Sequence, residues 1–576
     1  MGKKDFVLAI RYLIIMANIT SFFLLALIIP ASALFSSVVT GNGEIRGIAM
    51  TFSSRFLSRT VRVDSYLGIP YAKPPIGELR FRPAEPVDPF DDVYDATEVP
   101  PSCIQVIRPY FEHFIAGSGF SEDCLYLNVF VPETAVPPNA SVMFWIHGGL
   151  FVWGSGSDFP YNPLPLAALG NVIVVTINYR LTLMGFFSTG DDGLPPNLAL
   201  TDQRLAMQWV NRNIAAFGGD PNKVTIFGEG SGAACVGWHV LSPGSRPYFQ
   251  RAVLQSGNPL DPWAEVMSPE MAFEIAQVAA NIANCTPPVP EDTSFIADCF
   301  RTKSVDELLE ISVQTNAFYF GVSIWLPVVD GDFFPKNITE LIADGDYSDV
   351  DILLGTTRDE GTWLVYFFLG FPPGGMPFIT KTTFSAIAAG TTDPLISDLL
   401  EVVYSTGVAE NGNYFGALAD AVGDTCLTCG MVEFARRVAT AGSNVYMYRL
   451  AHVPARSIWN FTIEEATHYE DLQFVFGVPF QDDPFFVPDY EELKVSFYVM
   501  RMWTNFAKSG NPNLPVRLTN DISEWPEFLP DTQEYKELDI DFTNRRNLRQ
   551  HYCNFWDNLL PQIRLLIDVV ALTDDK

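Results

Sequence analysis

The sequence predicts an α/β architecture built on a parallel central sheet, and three observations carry that expectation. Residues 142–146 and 172–178 are continuous apolar runs of strand length, the pattern of strands covered on both faces. Between 202 and 217, Leu205, Trp209 and Ile214 recur at helical spacing ahead of Gly218-Gly219-Asp220-Pro221. Residues 224–229 then form another apolar strand that passes through a glycine-rich turn into a helix of small residues. Strand, helix and strand in that order give a parallel α/β sheet.

At the N-terminus, Lys3, Lys4 and Arg11 border an apolar run at 12–29, followed by Ala31-Ser32-Ala33, the arrangement of a secretory signal. Residues 1–33 are therefore expected to be cleaved, leaving a secreted, extracellular protein. An uncleaved anchor is the competing reading, because the run approaches spanning length, although Asn18 and Thr20 weaken it. The next segments, 47–56 and 61–69, alternate like a hairpin of edge strands until Pro70-Tyr71-Ala72-Lys73-Pro74-Pro75 ends it. No linker, repeat or long charge run divides the chain, so 34–565 is expected to be one domain, with an acidic tail at 566–576. Pro561, Arg564 and Asp568 interrupt the late apolar stretch 559–572, so no second span is expected.

The chain has 576 residues, with 67 acidic side chains against 36 lysines and arginines, a net charge of −31. Phosphate-bearing partners would be repelled, which excludes nucleic acid and anionic membranes and leaves a soluble acidic coat that favours cationic or basic ligands. In an exported protein the eight cysteines read as a disulfide set. Cys103 and Cys124 are near in sequence, as are Cys285 and Cys299, and Cys553 must reach upstream to Cys429 or Cys426. Cys235 reads as a buried free thiol. Cys426-Leu427-Thr428-Cys429 has no histidine cluster to pair with, so neither a metal nor a cofactor is expected. Sequons at Asn139, Asn284, Asn337 and Asn460 fit glycosylation; that at Asn18 lies within the signal.

The chemistry centres on Phe227-Gly228-Glu229-Gly230-Ser231-Gly232, a strand, sharp turn and helix start with the layout of a nucleophile elbow. Such a turn holds its nucleophile between two small residues, G-x-S-x-G, because neighbouring backbone comes too close for larger ones. Anchored on Gly228 and Gly232, the frame puts Gly230 at the nucleophile position. The rival frame makes Ser231 the nucleophile but places Glu229 and Ala233 at the flanking sites. Residues 147–151, His147-Gly148-Gly149-Leu150-Phe151, form a glycine-rich loop after a strand, where backbone N–H groups can face a developing oxyanion.

Several strings together resemble the type B carboxylesterases, the α/β-hydrolase-fold family that contains the cholinesterases and non-enzymatic relatives such as neuroligins. They include Tyr66-Leu67-Gly68-Ile69-Pro70-Tyr71-Ala72, Ser121-Glu122-Asp123-Cys124-Leu125-Tyr126-Leu127-Asn128, Gln255-Ser256-Gly257, Phe474-Val475-Phe476-Gly477 and Cys553-Asn554-Phe555-Trp556. The resemblance implies a large, mostly parallel sheet flanked by helices over about 45–565. Its pattern F-G-E-S-A-G aligns without insertion on Phe227 to Gly232, so Gly230 stands where the serine would be. It further implies that Glu360 and His468 occupy the acid and base positions, with oxyanion donors from the backbone of Gly149, Leu150 and Ser231. Leu150 departs from the family's third glycine. Trp263 and Trp325 resemble pocket lining, with Phe367, Phe368 and Phe371 nearby in sequence. Between Cys103 and Cys124 stand Tyr110, Phe111, Phe114 and Phe120 but no tryptophan, so choline-ester specificity is not expected.

Three function classes follow. The first is a secreted glycoprotein without catalysis, acting on an extracellular protein partner or holding a small apolar or ester ligand. The second is an ester hydrolase using Ser231, or a water activated by His468. The third is a structural or storage glycoprotein. By analogy with the family, a helical segment at 553–572 suggests a homodimer.

Overall fold

The structure is a computed structural model. It describes residues 35–566 except 58–59, 107–118, 135–138, 290–291, 319–323, 370–376, 390–393, 460–464 and 482–487. The signal at 1–33, Asn460, Tyr110, Phe111, Phe114, Phe371 and nearly all of the acidic tail lie outside the described residues, as does the side chain of Phe368.

A twelve-strand path runs through one mixed sheet, with a short thirteenth strand, Tyr94–Asp95, pairing at its edge. The path begins with β1 (Phe35–Thr40), β2 (Gly43–Ser53), β3 (Thr60–Pro70) and β4 (Tyr126–Pro132), all antiparallel to their neighbours. β1 was not foreseen in the sequence: its alternation is of exposed and half-buried residues, too weak an apolar signal. The centre is parallel, built from β5 (Ala140–Ile146), β6 (Ile173–Ile177), β7 (Gly219–Glu229), β8 (Arg251–Gln255), β9 (Asp351–Thr357), β10 (Val445–Leu450) and β11 (Glu534–Leu538). β12 (Asn544–Arg546) closes the far edge antiparallel. Strand order places β6 between β4 and β5, so the chain crosses over there. Every residue of β5 and β6 is buried, as the continuous apolar runs required.

Helices cover both faces, and each face has its own apolar cluster. α1 (Leu198–Asn213) begins four residues before the expected 202 and passes into a 3₁₀ turn at Ile214–Phe217. α2 (Ser231–Leu241) follows β7 directly and is buried along its whole length. It packs so closely that a Cβ on Gly232 would lie 2.2 Å from the Ile146 carbonyl oxygen. That contact is why only glycine serves at 232. α3 (Glu360–Leu369) starts just beyond β9, α4 (Asp471–Val475) follows β10 after a long connection, and α5 (Tyr490–Ser509) opens on a capping box between Asp489 and Glu492.

Three disulfides form, Cys103–Cys124, Cys285–Cys299 and Cys429–Cys553. The choice for Cys553 is thereby made, and Cys426 and buried Cys235 both stay reduced. Asn139, Asn284 and Asn337 are exposed. No helix among the described residues is long and apolar enough to cross a membrane.

Candidate functional site

The carboxyl ends of β5, β7, β8 and β9 lie side by side, paired at Ile146–Gly228, Glu229–Gln255 and Gln255–Gly355. The loops that leave them therefore converge on one spot, where open α/β sheets bind ligands. Gly230 sits at the β7–α2 junction with φ 56° and ψ −122°, a conformation open to glycine and strained for other residues. Its N–H donates to the Gln255 carbonyl at 2.9 Å, which ties the turn to β8. A Cβ built on Gly230 would lie 3.4 Å from His468 Nε2.

His468 and Glu360 come together across 108 positions of chain: Nδ1 of the ring lies 2.8 Å from Glu360 Oε2. The other Glu360 oxygen accepts from the Ser256 hydroxyl and from the Thr357 N–H, each at 2.6 Å. The carboxyl group is thus fixed from three sides, and an imidazole anchored through Nδ1 presents Nε2 to the turn at Gly230.

Sequence reasoning treated Glu229 only as a poor neighbour for a nucleophile; the structure makes it part of the site. It is fully buried, and its Oε1 lies 3.2 Å from His468 Nε2. The contact is short but poorly aligned, and the Tyr469 backbone N–H is the other donor that faces the Glu229 carboxyl group. Burial, reinforced by Asp471 and Glu360, holds the Glu229 carboxyl well above the usual range. Behind it, burial pushes Asp471 up to about 6 against hydrogen bonds from the Tyr448 hydroxyl (2.7 Å) and Gln255 Nε2 (2.9 Å), and pushes Glu470 up to about 8.

The 147–153 loop turns through three left-handed residues in a row, Gly149 (φ 110°), Leu150 (φ 54°) and Phe151 (φ 63°). The backbone N–H groups of Gly149, Leu150 and Ser231 find no acceptor among the described residues. The Ser231 hydroxyl accepts from the Phe151 N–H at 3.4 Å. That bond directs it to the loop, and no hydrogen bond joins it to His468 among the described residues.

These groups floor a cavity of about 630 Å³ whose wall includes Phe151, Trp153, Trp263, Trp363, Phe367 and Tyr469. Trp263 donates from Nε1 to the Cys426 carbonyl at 2.7 Å, and Trp363 packs 5.4 Å from the His468 ring and stacks on Phe367. Trp325 is not at this wall. It is 1% exposed and packs edge-on against Phe187 in the core. Trp363 had a legible signal: it follows Glu360 by one helical turn and so shares its face. Tyr469 and Trp153 adjoin His468 and the 147–151 loop and could have been found from those neighbours, whereas Cys426 had no such signal.

The fold and this geometry agree with the comparisons to known proteins. The model of the carboxylesterase family matches residues 35–556. The chain belongs to the carboxylesterase family. This carboxylesterase-family chain is 35% identical over 552 residues to an acetylcholinesterase of Bungarus fasciatus, covering 93% of this chain and 88% of that protein. An acetylcholinesterase of Danio rerio is 36% identical over 582 residues, covering 92% and 89%. An acetylcholinesterase of Electrophorus electricus is 35% identical over 588 residues, covering 94% and 90%. Within the family's fold, the positions the resemblance singled out come together: Gly230 and His468 line the floor of one cavity, and Glu360 holds His468 through Nδ1.

Proposed function

We propose that this protein is a carboxylesterase-family member without a catalytic nucleophile, which works by holding a ligand in its pocket. The observation that carries the reading is Gly230. The residue beneath His468 Nε2 has no side chain, and the hydroxyl of the next residue, Ser231, is engaged with the Phe151 N–H. In triad hydrolases, loss of the serine alone lowers turnover by a factor of ~10⁶. The His468–Glu360 pair then has only water to activate, and water lacks the fixed position that makes a tethered hydroxyl effective. The cavity of about 630 Å³, with three backbone N–H groups at its floor that find no acceptor among the described residues, suits a small apolar or ester ligand.

The wider setting in this reading is a secreted glycoprotein, its signal removed after Ala33, with sugars on Asn139, Asn284, Asn337 and Asn460. Exposed Leu559, Leu565 and Leu566 on the helical stretch 550–566 support a homodimer, which analytical ultracentrifugation tests. A second reading, hydrolysis through Ser231 or a His468-activated water, draws on the intact His468–Glu360 hydrogen bond. One experiment separates the two. The intact protein is treated with a fluorophosphonate, and the 224–241 peptide is read by mass spectrometry. No adduct and no aryl-ester turnover above buffer are expected; an adduct on Ser231 would overturn the binding reading.

A further inference from the structure

Four non-glycine residues of the pocket wall, Leu150, Phe151, Thr182 and Tyr469, stand on left-handed backbone that residues with side chains seldom adopt; of these, Leu150 carries one of the floor N–H groups and Tyr469 directly follows His468. Leu150 has φ 54° and Tyr469 has φ 81°. In this left-handed region a bulky residue's Cβ crowds the following carbonyl. Such conformations persist only where the surroundings impose them, and they concentrate at binding and catalytic sites.

Both constraints are visible. Leu150 lies between Gly149, where an added Cβ would come 2.0 Å from the Trp153 carbonyl oxygen, and Phe151, whose carbonyl accepts from the Thr182 N–H at 2.7 Å. Tyr469 is 3% exposed, its hydroxyl is paired with that of Tyr161, and its ring packs 5.0 Å from Trp459 and 6.1 Å from Trp153. Glycine would satisfy either dihedral without strain. The chain instead spends that strain to put apolar bulk beside the polar floor, Leu150 close to Ser231 and Tyr469 next to His468.

The choice of bulk restricts the ligand. Tyr469 has committed its hydroxyl to Tyr161, so what it turns to the cavity is a ring. No lysine or arginine lines the cavity among the described residues, so an anion meets no fixed side-chain cation there, and the backbone N–H groups of Gly149, Leu150 and Ser231 can equally serve the oxygen of a neutral ligand. The acid on the floor, Glu229, is held toward its neutral form by burial and by Asp471 and Glu360, which leaves little fixed charge for a cation. The volume falls in the range of small-molecule pockets. We propose that Leu150 and Tyr469 select what this pocket holds, and that they select a neutral apolar molecule seated against their two side chains. The inference rests on the pocket-binding reading and sharpens it to a chemical class.

The test uses the full chain and three fluorescent probes titrated separately: neutral Nile red, cationic thioflavin T and anionic anilinonaphthalene sulfonate. Nile red is expected to bind one to one and at least about tenfold more tightly than either charged dye. Leu150→Gly and Tyr469→Gly, each checked for folding by circular dichroism, are expected to weaken Nile red about tenfold, the scale on which a few lost apolar groups discriminate ligands. Tyr469→Phe keeps the ring and leaves affinity within about threefold. If the unmodified protein binds no neutral dye, the pocket-binding reading itself falls, and this inference with it. If it binds but the folded glycine variants bind equally well, only the selection by Leu150 and Tyr469 is wrong. A charged dye bound as tightly as Nile red overturns the ligand class. Should a glycine variant not fold, Leu150→Ala and Tyr469→Leu carry the same comparison, and unchanged affinity in both would overturn the proposal.

Discussion

Gly230→Ser asks whether one missing hydroxyl separates this protein from a hydrolase. The Cβ it adds would meet only His468, at 3.4 Å from Nε2, so the side chain fits without moving backbone. The serine oxygen is one further bond out and can reach hydrogen-bond distance of Nε2 by rotation about χ1. It must displace the 3.2 Å approach of Glu229 Oε1, which is poorly aligned and correspondingly easy to lose. A side chain at φ 56° costs about 1–2 kcal/mol of stability, since the residue leaves the ordinary allowed regions. For the chemistry, the full value of a triad serine is ~10⁶ in turnover, and one poorly placed oxyanion donor removes ~10² to 10³ of it. With Leu150 stiffening the donor loop, a gain of about 10³- to 10⁴-fold in aryl-ester hydrolysis is expected. The assay is initial-rate release of p-nitrophenol, paired with fluorophosphonate labelling located by mass spectrometry, and with Gly230→Ser/Ser231→Ala to assign the adduct to position 230. A folded Gly230→Ser protein with neither turnover nor label would refute the claim that His468 and Glu360 stand ready for a nucleophile.

Other consequences follow from the burial pattern. Glu470 has its carboxyl pushed up to about 8 by burial, above the 4.5 it has when exposed, so the unfolded chain binds fewer protons than the native one between those values. Stability is therefore expected to fall as pH rises from about 4.5 to 8, by up to about 5 kcal/mol from this group, and Glu470→Gln to flatten that slope in thermal melts across pH. Cys429→Ala opens a bridge spanning 124 residues and is expected to cost about 2–5 kcal/mol, read as a lowered urea midpoint. Burial pushes the thiols of Cys426 and Cys235 up to about 11 and about 12, so a thiol reagent at neutral pH is expected to react slowly with Cys426 in the native protein. Cys235 should react only after unfolding, and rapid native labelling of both would show the helix packing to be wrong.

Much of this protein follows from local pattern. Continuous apolar runs report strands covered on both faces, helical spacing reports α1, and the tight glycines at 228 and 232 report a turn where backbone meets backbone. The identity of residue 230 is a matter of sequence alone, because whether a hydroxyl is present does not depend on folding. What lies opposite it does depend on folding. Trp263 and Trp325 are alike as residues in aromatic segments, yet one lines the cavity and the other is sealed against Phe187, a difference set by which helices close over each. Glu229 read as an awkward neighbour until the sheet register placed it beneath His468. The left-handed backbone of Leu150 and Tyr469 leaves no mark in the sequence, because contacts with Thr182, Tyr161 and Trp459, distant in the chain, impose it. Local periodicity determines the elements, since it records which face is buried. Only tertiary structure decides the pocket, since its shape is set by residues that meet across tens to hundreds of positions of chain.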